Sequence, residues 1–243
     1  MLIRKYMPLF SKFFASSTIK ELANQGSSDL INYTLGKSVL RTLLDSNTNY
    51  ENLFETVYDL LFQNYRSEYV YKNAIANKIL LGRHSINTST LLSEFRAGEC
   101  KADIVILNGT SCAYEIKTEL DSLERLQNQL SEYKKSFDLI FIVTFAHNVE
   151  KVINIIDNSI GILTLTDEYT IRVVRKPISN KYNVDQATIF SSLRKPEYCK
   201  IIKEEYGEIP DVPNTKIYRE SKELFKRIPP DRAHDYMIRV LKN

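Results

Sequence analysis

Residues 101–118, Lys-Ala-Asp-Ile-Val-Ile-Leu-Asn-Gly-Thr-Ser-Cys-Ala-Tyr-Glu-Ile-Lys-Thr, read as two β-strands around a tight turn. The segments 101–107 and 112–118 are rich in apolar and β-branched residues, and Asn108-Gly109 between them supplies turn chemistry. Side chains alternate faces along a strand, so Glu115 and Lys117 share a face and Ile116 points away. With Asn108, Gly109 and Thr110 as the loop, Leu107 opposes Ser111 and Asp103 opposes Glu115. A loop one residue shorter or longer would put the two carboxylates on opposite faces.

Working outward, TLLSEFR at 90–96 is a third strand, joined to the pair through Ala97-Gly98, so the three should form an antiparallel meander. Residues 121–136 predict a helix with Asp121 as its N-cap and Leu123, Leu126 and Leu130 on one side. LIFIVTF at 139–145 suits a central strand buried on both faces. A helix over roughly 148–157 follows, then a hairpin over 160–176 turning at Asp167-Glu168. Upstream, Leu53, Val57, Leu60 and Leu61 mark one helical stripe, and Val70, Ala74, Ile75, Ile79 and Leu81 a second that stops at Gly82. The expected fold is α/β, a mixed sheet flanked by helices with helical additions at both ends. It divides into a helical region 1–50, a core 51–176 and a loop and helical region 177–243, where most of the prolines lie.

In the first region, Thr18-Ile-Lys-Glu21 fits a capping box. The helix, the turn at Gly26 and an apolar-periodic run through Leu44 give the outline of a helix-turn-helix, an outline that any helical hairpin shares.

Composition narrows the function. Apolar residues make up 43% and charged residues 26%, which excludes wholesale disorder. No stretch of about 18 apolar residues occurs, and Pro8 and Lys12 interrupt the apolar start, so neither a membrane span nor a signal peptide is expected. Three cysteines, Cys100, Cys112 and Cys199, with no CxxC pair, argue against a disulfide framework or a zinc knuckle and for a reducing, cytoplasmic setting. The chain lacks both a Walker A sequence and GxGxxG, so an ATP-driven enzyme is not expected. His84, His147 and His234 are scattered without metal spacing and read as surface or loop histidines. Residues 171–243 carry 16 Lys and Arg against 10 Asp and Glu, while 1–170 carry 17 against 20. The basic excess makes the C-terminal third, with Arg172, Arg175, Lys176, Arg194 and Lys195, the candidate phosphate-facing surface; the alternative is a solvated helical face.

Two carboxylates facing one another form a hard-oxygen site suited to Mg²⁺ or Mn²⁺. A neighbouring lysine can stabilise the attacking nucleophile while the metal polarises a phosphate. Asp103 and Glu115 interrupt otherwise apolar strands, which argues against incidental surface charge. On the next helix Gln129 and Tyr133 stand four apart and so share a face. The mutual repulsion of Asp103 and Glu115 predicts that Glu115→Gln slightly stabilises the metal-free protein, and Lys117 is expected to be dispensable for packing.

The set Asp103, Glu115-Ile-Lys117 and Gln129-xxx-Tyr133 resembles the PD-(D/E)xK nuclease superfamily, with the Gln-xxx-Tyr extension of its RecB-like branch. Within it, YEIKTELDSLERLQNQLSEY is similar to a family of small, poorly characterised bacterial proteins. The resemblance covers about a third of the chain, and Ala102 stands where the family name places Pro. It implies a restriction-endonuclease-like fold and metal-dependent hydrolysis of DNA in a defence, mobile-element or repair setting. Asp103, Glu115, Lys117, Glu68 and Gln129 would be catalytic, with Asp103, Glu115 and Ile116 at the metal. Tyr133, Arg172, Arg175 and Lys176 would meet the substrate. Glu68 is favoured over Glu94 as the further carboxylate. A non-catalytic nucleic-acid-binding or assembly subunit with the same fold is the alternative, and a protein partner or homodimer is consistent with a chain of this size.

Overall fold

The computed structural model describes residues 3–37, 49–82 and 87–242. The chain forms two compact units, Met1–Asn73 and Ala74–Asn243. The first boundary thus falls at Asn73 rather than at 50. The reason is that Leu53, Val57 and Leu61 are buried in the first unit, so the helix carrying them belongs with the N-terminal helices.

The first unit is helical: α1 (Met7–Ser11), α2 (Ser16–Gln25), α3 (Asp29–Lys37), α4 (Tyr50–Asn64) and the start of α5 (Glu68–Ile75). Its interior mixes aromatic and aliphatic side chains, with Phe10, Phe13 and Tyr71 fully buried alongside Ile31, Val57, Leu61 and Val70. The capping-box expectation fails. Thr18 lies inside α2 and donates to the Lys12 carbonyl, and the Glu21 carboxylate instead accepts from Ser28 Oγ and the Asp29 N–H at the start of α3. Gly26, at φ +71°, ends α2 in the left-handed region, so helix, turn and helix are present. The expected continuation through Leu44 lies outside the described residues beyond Lys37, as does His84.

The second unit is built on a six-stranded mixed sheet in chain order: β1 (Thr90–Ala97), β2 (Cys100–Leu107), β3 (Ser111–Ile116), β4 (Leu139–Thr144), β5 (Gly161–Leu165) and β6 (Ile171–Arg175). β1, β2 and β3 form the expected antiparallel meander, β3, β4 and β5 run parallel, and β6 returns antiparallel. The helix α6 (Leu126–Lys134) connects β3 to β4, because parallel neighbours need a crossover. It begins later than its pattern suggests, with Arg125 at the N-cap. Asp121 instead closes a turn, taking the Thr118 N–H and hydroxyl, both at 2.7 Å.

Asn108, Gly109 and Thr110 form the loop between β2 and β3, with Gly109 at φ +71° and Leu107 paired with Ser111. Val105, Leu107, Ala113, Ile140, Ile142 and Ile162 pack with Leu126, Leu130, Tyr133 and Phe137 in one core. After α7 (Val149–Ile153), the C-terminal helices α8 (Gln186–Ser192), α9 (Lys195–Tyr206), α10 (Asn214–Phe225) and α11 (Pro230–Leu241) bury a core of their own around Phe190, Tyr198, Phe225 and Met237. No helix among the described residues is long and apolar enough to cross a membrane.

Candidate functional site

The observed register places Ile104 opposite Tyr114, so one step further Asp103 faces Glu115. Alternation puts Asp103, Val105 and Leu107 on the same face as Ser111, Ala113 and Glu115, the face that α6 covers. The apolar residues pack beneath α6, and the carboxylates stand at the end of that face. Asp103 Oδ2 accepts the Ile116 N–H at 2.7 Å, so the Ile116 main chain, the third position implied for a metal, is tied to Asp103.

Around Glu115 the structure builds a dense polar cluster. Lys117 Nζ donates to Glu115 Oε1 at 2.7 Å and to Gln129 Oε1 at 2.9 Å. Gln129 Nε2 closes the triangle by donating to Glu115 Oε1 at 2.6 Å. One helical turn on, Tyr133 OH lies 2.5 Å from Glu115 Oε2 and 2.6 Å from the Lys101 carbonyl oxygen. A phenol has one proton, so the two acceptors share it. Glu115 is 1% exposed, Lys117 8% and Tyr133 0%. Burial, reinforced by the Glu115 and Asp103 charges, pushes the Tyr133 hydroxyl well above the usual phenol range, so it stays a neutral donor. Lys117 is therefore not dispensable to the interior as expected. It is the buried counter-charge of Glu115, and its loss would leave a carboxylate in the core.

Glu94 approaches the same place from β1. Ser93 pairs with Ile104 and Phe95 with Ala102, so register sets Glu94 against Asp103, but the ladder skips that pair. The reason is the Glu94 backbone, at φ +53°, in the left-handed region that a side chain with a Cβ rarely adopts. Carboxylate oxygens of Glu94 and Asp103 come within 4.8 Å of one another. Glu68, the carboxylate favoured by sequence, lies in the first unit at the start of α5 and pairs with Lys72 at 2.6 Å.

The expected substrate-gripping residues of β6 are not brought to this cluster. β6 lies three strands from β3, roughly 14 Å at normal strand spacing. Arg175 is spent on the loop before β5, donating to the carbonyls of Ile160 and Asp157 at 2.8 and 3.0 Å and to Asn158 Oδ1 at 3.2 Å. Arg172 and Lys176 are exposed on that far edge. Arg194 pairs with Glu197, and Lys195 with Asn214.

Sequence reasoning missed a second buried polar group. His234 is 0% exposed, not a surface or loop residue, because the apolar face of α11 carrying Ala233, Met237 and Ile238 turns it inward. Its Nε2 lies 2.7 Å from Ser111 Oγ, which in turn accepts the Asp138 N–H at 3.0 Å. Asp138 gathers the Thr110 and Ser179 hydroxyls and the Asn180 and Lys181 N–H groups. Burial would raise its carboxyl, but these hydrogen bonds outweigh burial and hold it below the usual range. The amphipathic spacing of 230–241 is the signal that could have placed His234 inside; nothing local marks its partner Ser111.

A solved protein of unknown function from Silicibacter pomeroyi is similar at 14% identity over 50% of this chain and 82% of its own, with a TM-score of 0.34, too slight a likeness to carry an argument. Protein cII of Enterobacteria phage P4 is 36% identical over 63 residues, which is 26% of this chain and 24% of that protein. The chain thus matches about a quarter of that relative's length. The family model described as bacteriophage P4 protein cII matches residues 62–243, a span that includes the sheet, the cluster around Glu115 and the C-terminal helices. That match covers about three quarters of the chain, and the protein belongs to the bacteriophage P4 protein cII family.

Proposed function

We propose that this chain is a metal-dependent nuclease of the PD-(D/E)xK type, with a restriction-endonuclease-like core, and that its substrate is DNA. The carrying observation is the ammonium of Lys117 held between Glu115 and Gln129 at the end of the sheet, beside Asp103 on the adjacent strand. The succession of three antiparallel strands, a crossover helix and a parallel strand supports the reading, because it delivers an Asp, a Glu-x-Lys and a Gln-xxx-Tyr from consecutive elements to one place.

The donor set fits a hard divalent cation. Asp103 and Glu94 oxygens lie within 4.8 Å, against roughly 4 Å across opposite oxygens of one Mg²⁺. Among the described residues Tyr133 is the one donor to Glu115 Oε2, which so keeps a lone-pair direction. Mg²⁺ or Mn²⁺ held by Asp103, Glu115 and Glu94 would supply Lewis-acid polarisation of the phosphate and acidify the attacking water. Lys117 places a positive charge where negative charge develops on the reacting phosphate. Gln129 fixes the Lys117 and Glu115 rotamers, and Tyr133 anchors Glu115 from below.

The test is incubation of the full chain with linear, circular and single-stranded DNA and with RNA, in Mg²⁺, Mn²⁺ or EDTA. Metal-dependent cleavage of DNA that Asp103→Asn abolishes is expected. Failure to cut any DNA in either metal would overturn the proposal. Metal-independent retention of DNA without cutting would favour a non-catalytic nucleic-acid-binding subunit.

A further inference from the structure

In the first unit an open cleft of about 410 Å³ is walled by Phe14, Phe54, Tyr58 and Tyr69 and rimmed by Glu55 and Asp59. Three segments build it. Phe14 comes from the turn before α2. Phe54, Glu55, Tyr58 and Asp59 lie on α4, on the side away from the buried Leu53, Val57 and Leu61. Tyr69 comes from the first turn of α5. The rings brace one another: Phe14 stacks on Tyr69 with centroids 4.1 Å apart, and Tyr58 stands edge-on to both at 6.2 Å. Phe54 meets Phe14 edge-on at 5.2 Å. All four rings remain partly exposed, and Glu55 and Asp59 are exposed, one turn apart on the same helix.

Aromatic faces and carboxylates around one cleft share an electrostatic preference. Ring quadrupoles present negative faces, which attract an organic cation, and two carboxylates at the rim add to that field. Among the described residues, none that lines the cleft is basic. The same carboxylates would repel a phosphate backbone, so base-stacking of a single strand is disfavoured here although the rings alone would permit it.

We propose that this cleft is a docking site for a basic side chain, an arginine guanidinium or lysine ammonium, presented by a partner polypeptide. The flat guanidinium packs against this half-exposed aromatic wall while its N–H groups reach Glu55 and Asp59. The site is independent of the nuclease reading, since it lies in the first unit and uses none of the residues of the Glu115 cluster.

Calorimetric titration of the full chain tests this with an acetylated, amidated Gly-Arg-Gly peptide, its lysine and citrulline counterparts, and tetramethylammonium. The arginine and lysine peptides should bind, and citrulline, which keeps the shape without the charge, should bind roughly tenfold more weakly or not at all. Glu55→Gln with Asp59→Asn should weaken the arginine peptide to a similar degree with an unchanged melting temperature, since both residues are exposed. Tyr58→Leu should do the same; should it unfold the unit, the double variant carries the test. Tighter binding of tetramethylammonium than of either peptide would overturn the polypeptide partner in favour of a free small cation. Equal binding of the citrulline peptide, undiminished binding by the double variant, or absence of saturable binding to both basic peptides would overturn the site. Loss of single-stranded oligonucleotide binding in Tyr58→Leu would overturn it in favour of base stacking.

Discussion

Tyr133 reaches from α6 to Glu115 on β3 with its hydroxyl 2.5 Å from Oε2, while the same oxygen atom of the phenol lies 2.6 Å from the Lys101 carbonyl on β2. One side chain thus ties the crossover helix to two strands and fixes the carboxylate that the proposed chemistry needs. Tyr133→Phe keeps the ring and removes the proton. The buried Glu115 carboxylate and the part-buried Lys101 carbonyl then lose their shared donor, which should cost about 1–3 kcal/mol of stability. Cleavage should fall with it, through a misplaced Glu115. Urea unfolding and single-turnover cleavage check the pair of effects; a variant as stable as the parent would show that the bond is not formed.

Glu115 and Lys117 make opposite charges interdependent in the interior. Removing either alone strands the other, so Lys117→Ala and Glu115→Gln should each destabilise the metal-free protein, by up to about 3–5 kcal/mol for the lysine. This replaces the expectation that relief from Asp103 makes Glu115→Gln stabilising. The pair Glu115→Leu with Lys117→Met should recover much of the loss, because no buried charge is left. Thermal melts of the three variants decide it, and additive losses in the double variant would show that the two side chains do not act as a pair.

Glu94 holds a left-handed backbone, φ +53°, within the first strand. Glycine adopts that region without the Cβ clash, so Glu94→Gly should leave stability unchanged or raise it by about 1 kcal/mol. If the carboxylate serves a cation with Asp103, the same variant should lose Mn²⁺-dependent stabilisation of the fold. Melts with and without Mn²⁺ give both readings; a variant that keeps the full metal-dependent shift would remove Glu94 from the site.

His234 predicts a pH dependence. Burial pushes its imidazole below the ordinary 6.5, opposed by the Asp138 and Asp235 carboxylates and assisted by Lys181. The folded state therefore favours the neutral ring. Its contribution to stability is present above pH 6.5 and is lost as pH falls below that value, because the unfolded chain then takes up a proton that the folded chain resists. The slope for one proton is at most about 1.4 kcal/mol per pH unit. Asp138, whose carboxyl is held below its ordinary 3.8, titrates outside this window. Urea midpoints at pH 7.5 and 5.5 should differ in the parent protein and differ less in His234→Gln. Parallel pH profiles for the two proteins would count against the buried neutral ring.

Sequence by itself determined the strands and their register. Gly109 and the length of its loop are local, and a period-two pattern then carries Asp103, Glu115 and Lys117 to one face, because every step along a strand turns a side chain over. The spacing of Gln129 and Tyr133 was equally legible, being one turn of one helix. What only the tertiary structure decided was the environment of those residues. Burial of the Glu115–Lys117 pair depends on α6 lying across the end of β3, and that turns a lysine expected to be dispensable into a counter-charge. The separation of β6 from the site follows from strand order, which an individual strand's pattern does not encode, so Arg172, Arg175 and Lys176 looked available when they are three strands away. The joining of Ser111 to His234 spans 123 positions, a contact set by how α11 packs. Local geometry is written residue by residue, whereas burial, strand order and long-range pairing come from the simultaneous fit of all the elements.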